Sequence, residues 1–219
     1  MKYLRKYEHK GKIRYVYPSC YKRKTERKVD YLFDEDAFEV LTLIVRYWLG
    51  FLYADGCICG YDIQLKLAII DREHVEAFAY FLNYDGPILE ERKKNGNKQV
   101  TIKICSWKLA SRLMELGVVP NKTFKVFAHP LLTMCVHFWR GVFDGDGSIW
   151  FVNGRPRSQL SSASYKFIKQ FEVFADSLGA YGSLSCDRGC WRYCLRAAST
   201  VTLLYYLYPT DEEIIAFVS

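Results

Sequence analysis

The chain has 219 residues, 50% apolar and 25% charged, which suits one large or two small well-cored domains. Its 16% aromatic content excludes long disorder. No apolar run reaches the roughly 18 residues of a membrane span, and the start, MKYLRKYEHKGKIRYVYP, lacks the apolar stretch of a secretory signal, so a soluble intracellular protein is expected.

The net charge of +7 is unevenly placed: residues 1–28 carry eleven Lys and Arg against Glu8 and Glu26. Such a segment either attracts a polyanion or is a solvated basic tail, and charge alone does not separate the two. Residues 1–43 are expected to form a basic N-terminal extension. Residues 44–127 and 128–219 then read as two halves of one repeat.

The repeat is visible in WLGFLYADG (48–56) and WRGVFDGDG (139–147), whose Gly50 and Gly141, and Asp55 and Asp146, each lie 91 positions apart. In the first half, Ile63, Leu65, Leu67 and Ile69 alternate with Asp62, Gln64, Lys66 and Ala68, predicting a strand with one buried face. A helix follows over 72–82, then a hairpin over 88–104 turning at Asn95-Gly96-Asn97, then a helix over 107–116 stopped by Gly117. In the second half, strands over 148–152 and 157–163 flank Asn153-Gly154. A helix over 165–178 ends at Gly179, a hairpin over 182–197 turns at Asp187-Arg188-Gly189, and a last helix begins near Ser199. The expected class is α+β: two pseudo-symmetric α-β-β-α-β-β-α halves, packed through the two motif helices, each with a four-stranded antiparallel sheet.

Eight cysteines include no C-x-x-C pair. Cys57 and Cys59 are spaced for one face of a strand, and Cys186, Cys190 and Cys194 surround a turn. Reduced thiols packed as small apolar residues are expected.

Glycine inside a helix costs about 0.5–1 kcal/mol relative to alanine. Gly50 and Gly141 therefore point to a second backbone too close for a side chain. Two such helices, one per half, would bring Asp55 and Asp146 together at their C-terminal ends, where the helix dipole disfavours a carboxylate. Two carboxylates held together repel unless a cation lies between them, so a divalent-metal site is the simplest resolution. An Asp-Gly pair alone is a common turn; two copies in the same context argue for chemistry.

WLGFLYADG and WRGVFDGDG resemble the motifs of the LAGLIDADG homing endonucleases, in their monomeric two-motif branch, over about residues 44–219. The first copy departs by carrying Tyr53 where an acidic residue is often found. The resemblance implies a metal-dependent, site-specific double-strand endonuclease acting as a monomer on a long asymmetric duplex DNA target, with no membrane partner. Asp55 and Asp146 would be both catalytic and metal-binding, with the backbone carbonyls of Ala54 and Gly145 beside them. Mg²⁺ would be the cofactor, with Mn²⁺ substituting and Ca²⁺ supporting binding without cleavage. Pro120-Asn-Lys-Thr123 matches the stretch that carries a supporting lysine, nominating Lys122 as catalytic; the second half offers no counterpart. Asp71 and Ser164 would help order attacking waters.

The sheets would lie in the major groove. DNA-binding candidates in the first half are Tyr61, Gln64, Lys66, Thr101 and Lys103, with Arg92, Lys93 and Lys94 placed to touch phosphates. In the second half they are Arg155, Arg157, Gln159, Ser161, Arg188, Trp191 or Arg192, and Arg196. Gln and Arg are the bidentate readers of adenine and guanine, while Lys reads guanine or positions phosphates. The expected location is the cytoplasm or nucleoid of a prokaryotic or phage-infected cell, or an organelle. The alternative is a catalytically silent relative, an intron RNA maturase or a DNA-binding regulator, which typically loses one acid of the pair. An intein endonuclease region is disfavoured because the sequence, from Met1 to Ser219, lacks splicing-type termini.

Overall fold

The computed structural model describes residues 5–9, 12–16, 31–93, 96–119 and 126–209. Strands β1 (Arg5–His9) and β2 (Lys12–Val16) pair antiparallel within the basic extension. The first half then runs α1 (Leu43–Ala54), β3 (Gly56–Cys59), β4 (Asp62–Ala68), α2 (Arg72–Phe81), β5 (Leu89–Arg92), β6 (Lys98–Cys105) and α3 (Trp107–Glu115). The second half repeats the order as α4 (Val136–Asp146), β7 (Gly147–Val152), β8 (Arg155–Ser162), α5 (Tyr165–Ser177), β9 (Gly182–Asp187), β10 (Cys190–Arg196) and α6 (Ala197–Leu207).

Each half builds one antiparallel sheet, ordered β3-β4-β6-β5 and β7-β8-β10-β9. The α+β class and paired α-β-β-α-β-β-α layout are those expected from the repeat. Local chemistry explains the turns. Asn153 and Gly154 have φ of 50° and 72°, and Arg188 and Gly189 have 50° and 79°, the paired positive values of a two-residue hairpin turn. Gly117, at φ 94°, ends α3 as a left-handed cap.

The alternation in β4 holds: Ile63, Leu65 and Leu67 are buried and pair with Ile104, Ile102 and Val100 of β6. Helix α2 covers this face with Val75, Phe78 and Ala79. In the second half Leu160, Tyr193 and Leu195 face Phe167, Phe171 and Phe174 of α5 in one continuous core. Residues 31–42 also join that core. Phe38 is fully buried and meets Phe81 with ring centroids 5.4 Å apart, and Asp34 N–H donates to the Leu82 carbonyl at 2.7 Å.

The two motif helices pack directly on each other. A Cβ added to Gly50 would collide with the Phe138 carbonyl, and one added to Gly141 with the Tyr47 carbonyl. The contact is reciprocal, so each helix needs its glycine for the other's backbone to approach. The cysteines depart from expectation. Cys57, Cys59, Cys105 and Cys186 are exposed rather than packed, and Cys190 and Cys194 are half-buried; Cys135, also half-buried, does pack against the core, and no disulfide joins those described.

Candidate active site and nucleic-acid interface

The close crossing of α1 and α4 fixes where their C-terminal ends fall. Asp55 is the residue capping α1, with its backbone N–H directed at the Phe51 and Leu52 carbonyls, and Asp146 is the last residue of α4. A Cβ added to Gly145 would strike the Ala54 methyl and stand 3.0 Å from Asp55 Oδ2. The Asp55 carboxylate thus lies against the backbone that leads into Asp146. A cavity of about 220 Å³ beside these ends is lined by Ala54 and Tyr53 from one half, and by Asp146, Ser161 and Ser162 from the other. Among the described residues no third His, Cys, Asp or Glu joins them to make a metal cluster. The carboxylate oxygens brought near these helix ends are hard donors, the kind a divalent cation such as Mg²⁺ takes.

Position 53 in the first motif corresponds to position 144 in the second, and the two side chains solve the same problem differently. Tyr53 is buried; its hydroxyl donates to the Leu116 carbonyl at 2.7 Å and accepts from His129 N–H at 3.3 Å. Asp144 instead accepts from the Tyr47 hydroxyl at 2.8 Å and from the Tyr208 hydroxyl. Each ties its motif helix to the segment ending its own half, α3 or α6. The Arg140 guanidinium stands over both tyrosine rings, 5.8 Å from the Tyr47 centroid and 4.9 Å from that of Tyr208. Burial first, and Asp144 second, push both tyrosine hydroxyls far above the usual range. The single Tyr47 proton goes to Asp144, so the 3.2 Å contact to His74 Nε2 requires a donating Nε2–H. Burial among Trp48, Phe51 and Tyr47 holds His74 below its ordinary value. The sequence reading missed this cluster, which joins α1, α2, α4 and α6; no local spacing announces it.

Strand register assigns the outer faces, those turned from the helices. In the first sheet Cys57–Gln64–Lys103 and Cys59–Asp62–Cys105 form rows across three strands, followed by Lys66–Thr101–Leu89 and Ala68–Gln99–Glu91. Gln64, Lys66 and Lys103 therefore face outward as expected. Both lysines are ion-paired on that face, Lys66 to Glu91 and Lys103 to Asp62, each at 2.8 Å. In the second sheet Arg157, Gln159 and Ser161 lie opposite Arg196, Cys194 and Arg192. Ser148 and Trp150 of β7, with Ser183 and Ser185 of β9, share this face through the same register. Arg192 reaches Asp187 at 3.4 Å, while Arg155, Arg157 and Arg196 have no carboxylate partner among the described residues.

Four candidates are corrected. Tyr61 sits in the β3–β4 turn after Gly60, but its ring is 8% exposed and part of the core, so it cannot reach a groove. Thr101 is on the outer face yet 3% exposed, a short side chain between Lys66 and Leu89. Trp191 is on the helix side, its ring 4.6 Å from that of Tyr165, so of the pair named at this place Arg192 takes the outer face. Ser164 caps α5: its hydroxyl donates to the Val126 carbonyl at 2.6 Å and accepts from Phe167 N–H, which leaves it buried and occupied. Asp71 is exposed at the start of α2. Arg92 and Lys93 are exposed at the β5–β6 hairpin and Arg188 at the β9–β10 tip. Arg92 pairs with Lys98 on the helix side of β5. Lys94 and Lys122 lie outside the described residues.

Compared by sequence, the chain matches no family model and no curated protein. Compared by fold, it is similar to the homing endonuclease I-WcaI bound to its DNA recognition sequence, with a TM-score of 0.62 and 12% identity over 84% of this chain and 91% of that one. It is also similar to mesophilic variants of the homing endonuclease I-DmoI, with a TM-score of 0.53 and 11% identity over 81% of this chain and 99% of that one. Full-length WhiA from Thermatoga maritima gives a TM-score of 0.56 and 17% identity over 84% of this chain, which spans 63% of that protein's length. The paired helices, the two sheets and these likenesses agree: the chain has the two-motif LAGLIDADG fold.

Proposed function

We propose that the chain is a site-specific DNA endonuclease that cuts both strands of a long asymmetric duplex. One observation carries the reading: two carboxylates, one per half, are delivered to the same end of a helix pair whose contact only glycine permits. Neither carboxylate stabilises its own helix, since each sits at the negative end of the dipole.

Asp55 and Asp146, with the carbonyls of Ala54 and Gly145, would hold the divalent cation. Mg²⁺ there would neutralise charge developing on the phosphodiester and on the leaving oxygen. The residues around it orient and bind: the outer sheet faces lie in the major groove, and Arg157 and Arg196 meet phosphate or guanine. Lys122 is kept as the residue supporting catalysis on one strand, and Asp71 as a water-positioning residue. One chain supplies both halves, so the active species is a monomer.

The test begins with a randomised duplex library captured by the protein in Ca²⁺, followed by incubation of the selected duplex in Mg²⁺ or Mn²⁺. The expected result is a double-strand break within one long site. Tight capture with no breakage in either metal would overturn the nuclease reading in favour of a DNA-binding relative that has lost cleavage.

A further inference from the structure

The outer face of the first sheet carries two lysines, and both are already neutralised. Lys66 Nζ is 2.8 Å from Glu91 Oε2, and Lys103 Nζ is 2.8 Å from Asp62 Oδ2. This is a poor arrangement for gripping a phosphate backbone, because each lysine would bring a carboxylate toward a chain of like charge. The second sheet lacks this restraint at Arg155, Arg157 and Arg196 among the described residues.

An ammonium beside a carboxylate has another use. The major-groove edge of a G·C pair offers two neighbouring acceptors, guanine N7 and O6, and next to them the cytosine N4 amino donor. A lysine has three N–H donors and a carboxylate accepts at two oxygens, so a pair that keeps its own bond still has groups to spare for both. An A·T pair places the adenine amino donor between single acceptors and adds the thymine methyl, so the ammonium meets one acceptor where guanine gives two. The two pairs are also separate. Asp62 stands one row before Lys103 and Glu91 one row after Lys66, so the pairs lean apart along the strands and address different places on a duplex.

We propose that the Lys66–Glu91 and Lys103–Asp62 pairs each read one G·C base pair, at two separate positions of the half-site beneath the first sheet. The carboxylates also keep the two lysines from non-specific phosphate contacts. The inference rests on the DNA-binding reading above, since it requires this face to meet a duplex.

The test uses the full chain and its selected duplex in Ca²⁺, with Glu91→Gln and Asp62→Asn made singly. Both sites are at the surface and both changes keep side-chain shape. Wild type is expected to lose about tenfold affinity when G·C becomes A·T at either position. Each variant is expected to lose most of that discrimination at one position. Each should also bind unrelated duplex more tightly, with the slope of log affinity against log salt steeper by about one. Unchanged discrimination and unchanged salt slope in both variants would overturn the proposal, as would a wild-type preference for A·T at both positions. Wild type that binds no duplex at low salt would overturn the DNA-binding reading and this proposal together; duplex bound without discrimination overturns this proposal alone.

Discussion

The two sheets share strand order and register but not surface chemistry. The first presents Cys57, Cys59 and Cys105 with two lysines, each tied to a carboxylate. The second presents Arg155, Arg157, Arg192 and Arg196 among serines, with Asp187 reaching only Arg192. Beneath them the motif helices are nearly interchangeable, each with a glycine under the other's backbone and an aspartate at its end. The repeat is strict where backbone touches backbone and free where side chains meet solvent. In the proposed account, chemistry is shared between the halves while recognition is divided between them.

The largest expected effect breaks the part that is alike. Gly50→Leu or Gly141→Leu forces a side chain into a backbone contact, and each should destabilise the protein by about 3 kcal/mol or more. Chemical denaturation of the two variants should show similar losses; a wild-type midpoint for either would mean the helices do not pack there. The next effect is on the part that differs. Arg157→Ala with Arg196→Ala should cost about 10–100-fold in duplex affinity and flatten the salt slope by about two. Removing each ion pair whole, Lys66→Met with Glu91→Gln and Lys103→Met with Asp62→Asn, should leave that slope nearly unchanged, because each pair carries no net charge. Equal slopes for the arginine and the ion-pair variants would erase the comparison between the sheets.

A smaller effect separates positions 53 and 144. Tyr53→Phe strands the buried Leu116 carbonyl and His129 N–H and should cost about 1–2 kcal/mol of stability, measured by denaturant melts. No loss there would mean those backbone groups find other partners. The smallest concerns His74, which burial holds below its ordinary value. The folded state then binds fewer protons than the unfolded one, so stability is full above the ordinary imidazole value of about 6.5 and falls as pH drops below it. Melting temperatures measured from about pH 7.5 down to pH 5.5 should decline, and His74→Gln should make the decline shallower. An identical decline in the variant would remove His74 as its source.

Much of this arrangement is legible in the sequence because two signals repeat. Period-two alternation marked β4, and Asn-Gly and Asp-Arg-Gly marked the hairpins, so element order followed directly. Gly50 and Gly141 were legible because a mid-helix glycine has a cost that needs a cause. The outer face was read less well, since its membership depends on parity through turns. Tyr61 sits in such a turn and Trp191 is one residue out of phase with Arg192. Thr101 shows a further limit: correct parity does not give exposure when longer neighbours flank a short side chain. Ser164 was expected to help order attacking waters, though a serine directly before a helix is as readily its cap. The cysteines were assigned to the core by their usual habit, and register placed Cys57, Cys59 and Cys105 on the outer face instead.

The central claim is that one carboxylate from each half is needed for a single double-strand break. The direct measurement compares wild type, Asp55→Asn and Asp146→Asn on supercoiled plasmid carrying the selected site, following nicked and linear forms in Mg²⁺ while duplex affinity is measured in Ca²⁺. The account predicts that each variant keeps affinity within about threefold, because binding resides in the sheets. It also predicts that neither variant yields linear product at a measurable rate. Near-normal linearisation by either variant would contradict it.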